Sequence, residues 1–220
     1  EVHLGGQETL YLLALALFSV GTGVGSLLCE KLSGRTVEIG LVPVGAFGMT
    51  AFMLDLYFAR AGTATAAGLG VGAFVAQPGS IRIIIDLIGI GLFTGFFVVP
   101  LFALIQSRTP KSEMSRVFAA LNIQNSGFIV LAALVGLALH ALGWSGPQIF
   151  LALAIANALV AIWIFTIVPE FLMRFLSWLL VRALYRLRLH GIEKNVPDEG
   201  PALLVCNHVS YMDALILAAT

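Results

Sequence analysis

The chain has 220 residues, of which 59% are hydrophobic and 11% are charged, and its 12 basic residues balance its 12 acidic ones. This composition excludes an ordinary soluble domain, and the lack of excess positive charge argues against a nucleic-acid partner. The two cysteines, Cys29 and Cys206, match no metal-binding or redox spacing. We therefore expect no metal site and no disulfide framework.

Five apolar stretches are each about 20 residues long, the length that crosses a hydrocarbon core of roughly 30 Å. They are residues 10–29, 39–59, 83–105, 117–142 and 149–168. The sequence therefore predicts a membrane all-α bundle over residues 1–169. A further apolar segment at 69–76 is too short to span the membrane. A crossing there would invert the orientation of all later spans. Because the chain starts with Glu1 and stops inside an apolar run, we expect it to be a fragment.

Basic residues in the connections predict the orientation of the bundle, since Lys and Arg accumulate on the cytoplasmic side. Ten of the 12 lie on one side, and only Arg60 and Arg82 lie on the other. The segment after residue 168 is therefore expected on the cytoplasmic side of the membrane, after several membrane spans. The ten are Lys31, Arg35, Arg108, Lys111, Arg116, Arg174, Arg182, Arg186, Arg188 and Lys194.

Polar residues inside the spans are candidate functional groups, because such groups are costly in lipid. Asn122 and Asn125 share one face of the fourth span, with Gln124 about 80° away. This predicts a hydrophilic face that either contacts a transported substrate or hydrogen-bonds to another helix. Asp55 is a candidate transport residue, although an ion pair with Arg60 is the simpler interpretation.

Two further patterns predict packing. Asp86 follows Arg82 by four residues, the spacing of an ion pair on one helix. Glycines at 21 and 25, and again at 91 and 95, have the spacing that lets transmembrane helices approach closely.

The connection after the first span, residues 25–35, resembles the cytoplasmic loop signature of major facilitator transporters, with Glu30, Lys31 and the Gly34-Arg35 pair. Residues 95–106 and 121–125 are also similar to the lysophospholipid transporter branch of that superfamily. The resemblance implies five helices of a carboxyl-terminal half-bundle, beginning at the eighth helix of twelve. It also implies lysophospholipid as the transported molecule.

Residues 170–186 form a separate predicted unit. Arg174, Trp178, Arg182 and Arg186 recur every four residues, with Leu and Phe between them. This spacing predicts a basic amphipathic helix at the membrane surface, where Arg contacts lipid phosphates and Trp lies at the interface. A solvated extension of the fifth span is the alternative.

Residues 187–220 change character again. Alternation at 186–191 and an apolar run at 202–206 predict strands, followed by a turn that carries Asn207 and His208. With Ser210 as the first residue of a helix cap, Asp213 can fold back toward His208. A histidine held by a carboxylate is suited to taking a proton from an alcohol. The alternative is a plain helix cap, because Ser-x-x-Asp before an apolar run is a capping signature.

Residues 200–214 resemble the first motif of the glycerolipid acyltransferases of the 1-acylglycerol-3-phosphate type. In that motif a histidine and an aspartate are separated by four residues, with Asn before the histidine and Ser two after it, as here at 207–213. The resemblance implies an α/β domain in which His208 is the general base and Asp213 its orienting partner. It implies an acyl carrier protein or acyl-CoA thioester as co-substrate and no bound cofactor.

Together the two resemblances predict a fusion that brings lysophospholipid across the inner membrane and reacylates it. The predicted partners are lysophospholipid, membrane lipids and the acyl donor. Two alternatives stay open at this point. The bundle could export a small molecule beside a phosphatidate-forming acyltransferase, or it could be a membrane anchor without transport.

Overall fold

The computed structural model describes residues 8–32, 39–61, 70–167, 169–186, 205, 207, 210 and 212–218. Eight helices occur in these ranges. They are α1 (Glu8–Leu32), α2 (Leu41–Ala61), α3 (Val71–Val75), α4 (Ser80–Arg108), α5 (Met114–Ala141), α6 (Gly146–Ile167), α7 (Pro169–Leu184) and α8 (Asp213–Ala218). No strand lies in the described part. The predicted strands at 186–191 and 202–206 fall almost entirely outside it, so the α/β domain stays a prediction.

Five of the helices, α1, α2, α4, α5 and α6, are long and apolar enough to cross a membrane. They confirm the five predicted spans. Most of them run further than hydropathy alone indicates. For example, α4 begins at Ser80 and ends at Arg108, because a helix continues through polar residues wherever its backbone hydrogen bonds are maintained.

Helix α4 is the centre of the bundle, with α1 and α2 packed against it, while α6 packs against the outer side of α2. The predicted glycine pairs meet where α1 crosses α4. A methyl group added at Gly25 would collide with the carbonyl oxygen of Leu92, and one at Gly91 with that of Phe18. The absence of side chains at these points brings two backbones together, which confirms the packing interpretation.

The described part of the connection between α2 and α4, residues 70–79, contains the short helix α3. Its Phe74 is buried together with Leu10, Leu56 and Ile83, and so closes one end of the bundle. Ser80 at the start of α4 donates its hydroxyl to the carbonyl of Phe74. A five-residue helix is far too short to cross a bilayer, so α3 adds no span in the described part of this connection.

Helix α5 differs from its neighbours because none of its 28 residues is buried. Its ring contact in the described part is a stacked pair of Phe118 with Phe102 of α4, whose centroids lie 6.0 Å apart. Apart from the carboxamides Asn122, Gln124 and Asn125, the surface of the helix is largely apolar, which is typical of a segment surrounded by lipid or by other helices.

Helix α7 begins at Pro169, directly after the end of α6, and corresponds to the predicted amphipathic unit at 170–186. It contacts α2 and α6 and also α8, so it connects the bundle to the carboxyl-terminal segment. Ser177 and Val181 are its buried residues in the described part.

Candidate functional site

The start of α8 is built as a reciprocal helix cap. The backbone N–H of Ser210 donates to Oδ2 of Asp213 at 2.9 Å, and Oγ of Ser210 accepts from the backbone N–H of Met212 at 3.2 Å. The backbone N–H of Asp213 closes the turn on the carbonyl of Ser210 at 3.0 Å. Both ends of the cap satisfy donors that the first helical turn leaves unpaired. The capping signature predicted for Ser-x-x-Asp is confirmed.

The cap directs the Asp213 carboxylate back toward the turn that precedes the helix, as the dyad prediction requires. Asp213 is half-buried, whereas Asn207 and Ser210 are exposed. His208 lies outside the described residues, so its pairing with Asp213 stays a prediction. Capping and catalysis are compatible, because an ionised carboxylate has two oxygens and accepts about four hydrogen bonds.

The acyl-transfer candidate lies beside α7, since α8 packs against that helix. The exposed face of α7 carries Met173, Leu176, Leu180 and Leu184, which recur at intervals of three or four residues. A continuous exposed apolar face on an otherwise basic helix is typical of a segment lying at a membrane surface. Arg186 is exposed. The side chains of Arg174, Trp178 and Arg182 lie outside the described residues, so their contact with lipid stays a prediction.

Within the bundle, Asp55 forms an ion pair across two helices. Nε of Arg82 donates to Oδ2 of Asp55 at 2.9 Å, and Nη2 donates to Oδ1 at 2.5 Å. The predicted pairing of Arg82 with Asp86 along α4 is therefore wrong. A bidentate contact from a rigid guanidinium to a carboxylate is stronger than a single contact between neighbours on one helix. The side chain of Arg60, the predicted partner of Asp55, lies outside the described residues.

The three carboxamides Asn122, Gln124 and Asn125 are all exposed on α5. None of them hydrogen-bonds through its side chain to another described residue. The described helices therefore give these side chains no interhelical hydrogen bond. Both predicted roles, substrate contact and interhelical bonding, stay predictions.

The sequence analysis missed Asn157, which links α6 to α2. Its Nδ2 donates to the carbonyl of Ala46 at 2.9 Å and to Oγ1 of Thr50 at 2.8 Å. One signal could have found it: Asn157 is a carboxamide in the middle of an apolar span, and such a group needs a partner in lipid.

The described residues contain no group of three or more His, Cys, Asp or Glu side chains able to hold a metal ion.

Comparison with known families adds one finding. The family model described as Acyltransferase matches residues 186–220, the stretch that contains the capped turn and α8. No curated protein and no solved structure matches the chain. The carboxyl-terminal 35 residues are therefore similar to the acyltransferase family, and they follow five helices capable of spanning a membrane.

Proposed function

We propose that this chain is part of a membrane-bound O-acyltransferase of glycerophospholipids. It transfers an acyl group from an acyl carrier protein or acyl-CoA thioester to the free hydroxyl of a lysophospholipid or acylglycerophosphate. The observation that carries the proposal is the acyltransferase match at residues 186–220, in which Asp213 is held by its helix cap. Composition and the five long apolar helices support a membrane setting.

In this proposal His208 acts as the general base and Asp213 orients it. The imidazole takes the proton of the acceptor hydroxyl while the oxygen attacks the thioester carbonyl carbon. When the tetrahedral intermediate collapses, the carbon–sulfur bond breaks and the thiolate leaves with the proton from the imidazolium. The Asp213 carboxylate fixes the tautomer of the histidine and stabilises the imidazolium.

We further propose that the bundle delivers the acceptor by moving lysophospholipid across the membrane. Residues 25–35, 95–106 and 121–125 support this through their resemblance to lysophospholipid transporters of the major facilitator type. Tethering the two activities in one chain raises the local concentration of acceptor at the acyl-transfer site. The alternatives are a small-molecule exporter and an anchor without transport.

The acyl-transfer site lies, in the proposal, on the cytoplasmic side of a bacterial inner membrane, as the ten basic residues on that side predict. Helix α7 supports a position at the headgroup layer, because its exposed apolar face can enter the lipid while the chain continues into the cytoplasm.

The decisive test separates the two steps in the full-length protein reconstituted in vesicles. We expect His208→Ala to abolish acyl transfer from acyl carrier protein to labelled lysophospholipid and to leave lysolipid flux unchanged. Unchanged acyl transfer would remove the catalytic assignment. Absence of lysolipid flux in the wild type under every imposed gradient would favour the anchor, and flux of small solutes alone would favour the exporter.

A further inference from the structure

The carboxyl group of Asp86 is a charged group buried inside the bundle. Asp86 lies on α4, one helical turn and about 6 Å along the axis from Arg82. It is only 1% exposed, and its Oδ2 has no hydrogen-bond partner in the described part of the chain. A buried carboxyl oxygen without a partner is costly in its ionised form, especially within a membrane span.

The neighbouring guanidinium of Arg82 does not offset the cost of burying this ionised carboxyl group. Arg82 gives both of its observed hydrogen bonds to Asp55, so the charge of Arg82 is matched by a carboxylate other than Asp86. Among the described side chains at this end of the bundle, these two carboxylates and one guanidinium leave one surplus negative charge. A second positive charge is needed for neutrality.

No described side chain of the surrounding elements at this end supplies such a charge. Asp86 lies on the face of α4 that packs against α2, shared with Gly89, which contacts Phe52. Helices α3 and α6 carry no ionisable residue, and Tyr11 of α1 is 58% exposed. The side chains of Glu8 and Arg60, at the same end, lie outside the described residues.

The Asp55 carboxylate, held by Arg82, and the Asp86 carboxyl group, one helical turn from Arg82, lie at the same end of the bundle. We propose that Asp86 and Asp55 bind a single proton between them beneath Arg82, forming a proton site at the end of the bundle closed by α3. A proton bound to Asp86 removes the surplus negative charge and makes its carboxyl group a hydrogen-bond donor, so the buried oxygen no longer carries an uncompensated charge.

A proton suits this site better than a metal cation. Oxygen-binding cations such as Mg²⁺ and Ca²⁺ take about six or more oxygen ligands. The described residues contain no cluster of three or more acidic or metal-binding side chains. The proton has a route to water, because the side chains of Asp55 and Arg82 are 42% and 52% exposed. Loss of the bound proton would leave two carboxylates competing for Arg82, which bonds α4 to α2 through Asp55.

The test uses the full-length protein in nanodiscs and a hydrophobic carbodiimide, which reacts with protonated carboxyl groups in apolar surroundings. Labelling is read by mass spectrometry over a pH series from about 5 to about 9. We expect Asp86 to be labelled, with labelling falling about tenfold per pH unit once the group ionises. Exposed Glu113 is the internal reference and should stay unlabelled.

Two variants sharpen the result. Asp86→Asn should remove the labelled site together with the infrared band of a protonated carboxyl group. Asp55→Asn releases Arg82 to pair with Asp86 four residues away, so labelling of Asp86 near neutral pH should fall several-fold. Labelling that is absent, independent of pH, or unchanged in Asp55→Asn would overturn the proposal. Protection by sodium ions at constant ionic strength would also overturn it, in favour of a cation site. None of these readouts depends on acyl transfer.

Discussion

Helices α4 and α5 are neighbours in the chain with similar length and composition, yet they are used in opposite ways. Helix α4 buries glycines against α1 and α2, while α5 has no buried residue. Several polar groups in the packed part have partners: Asn157 bonds to α2, and the hydroxyls of Thr22 and Ser26 bond to carbonyls one turn earlier. The carboxamides of α5 bond to no other described side chain or backbone group.

Hydropathy therefore identifies a membrane span but does not show whether that span packs against other helices. Apolar surface on α5 is compatible with lipid, but three carboxamides at membrane depth are not explained by lipid contact. These three side chains bond to none of the described helices, whereas Asn157 of α6 and Thr50 of α2 bond to each other within the fold.

The largest expected difference between the two regions concerns their glycines. Gly91→Val places a branched side chain against the backbone of Phe18 and Thr22, and we expect a loss of about 1–3 kcal/mol or more. Gly127→Val on α5 is the matched control, because nothing lies within 4 Å of an added methyl group there. Thermal unfolding in detergent checks this pair, and equal losses would contradict the packing contrast.

A smaller difference is expected for two asparagines. Asn157→Leu removes the bonds to Ala46 and Thr50, and we expect the bundle to lose about 1 kcal/mol. Asn125→Leu on α5 should leave the unfolding temperature unchanged. If Asn125→Leu were the more destabilising of the two, α5 would be packed in a way that the described helices do not account for.

The smallest effect on stability, and the most informative one, is expected when Asn122, Gln124 and Asn125 are all replaced by Leu. If these carboxamides contact transported lipid, unfolding stays as in the wild type while lysolipid flux in vesicles falls severalfold. Unchanged flux together with unchanged stability would remove them from the transport proposal.

Much of the bundle was predictable from the sequence because each span must satisfy its own backbone hydrogen bonds. The five spans and the glycine crossing of α1 on α4 follow from length and small-residue spacing. Helix ends were less predictable, since the hydrophobic signal stops at charges such as Arg82 that the helix includes.

Side-chain partners across helices were not predictable from local spacing. Arg82 lies four residues from Asp86, yet it pairs with Asp55 on another helix, because α2 and α4 pack with those groups at the same end. For the candidate site, the cap between Ser210 and Asp213 was predictable since it is local in sequence. The predicted contact of Asp213 with His208 involves a residue outside the described part of the chain, so it stays a prediction.

One measurement tests the central claim most directly: acyl transfer by the Asp213→Asn variant of the full-length protein. The asparagine side chain keeps an oxygen for the Ser210 N–H, so the cap is retained while the negative charge is lost. If the carboxylate orients His208, the rate of acyl transfer to lysophospholipid should fall about a thousandfold or more. Ser210→Ala, which weakens the cap by about 1 kcal/mol, should lower the rate far less. Full activity in Asp213→Asn would show that the carboxylate only caps a helix and would contradict the account.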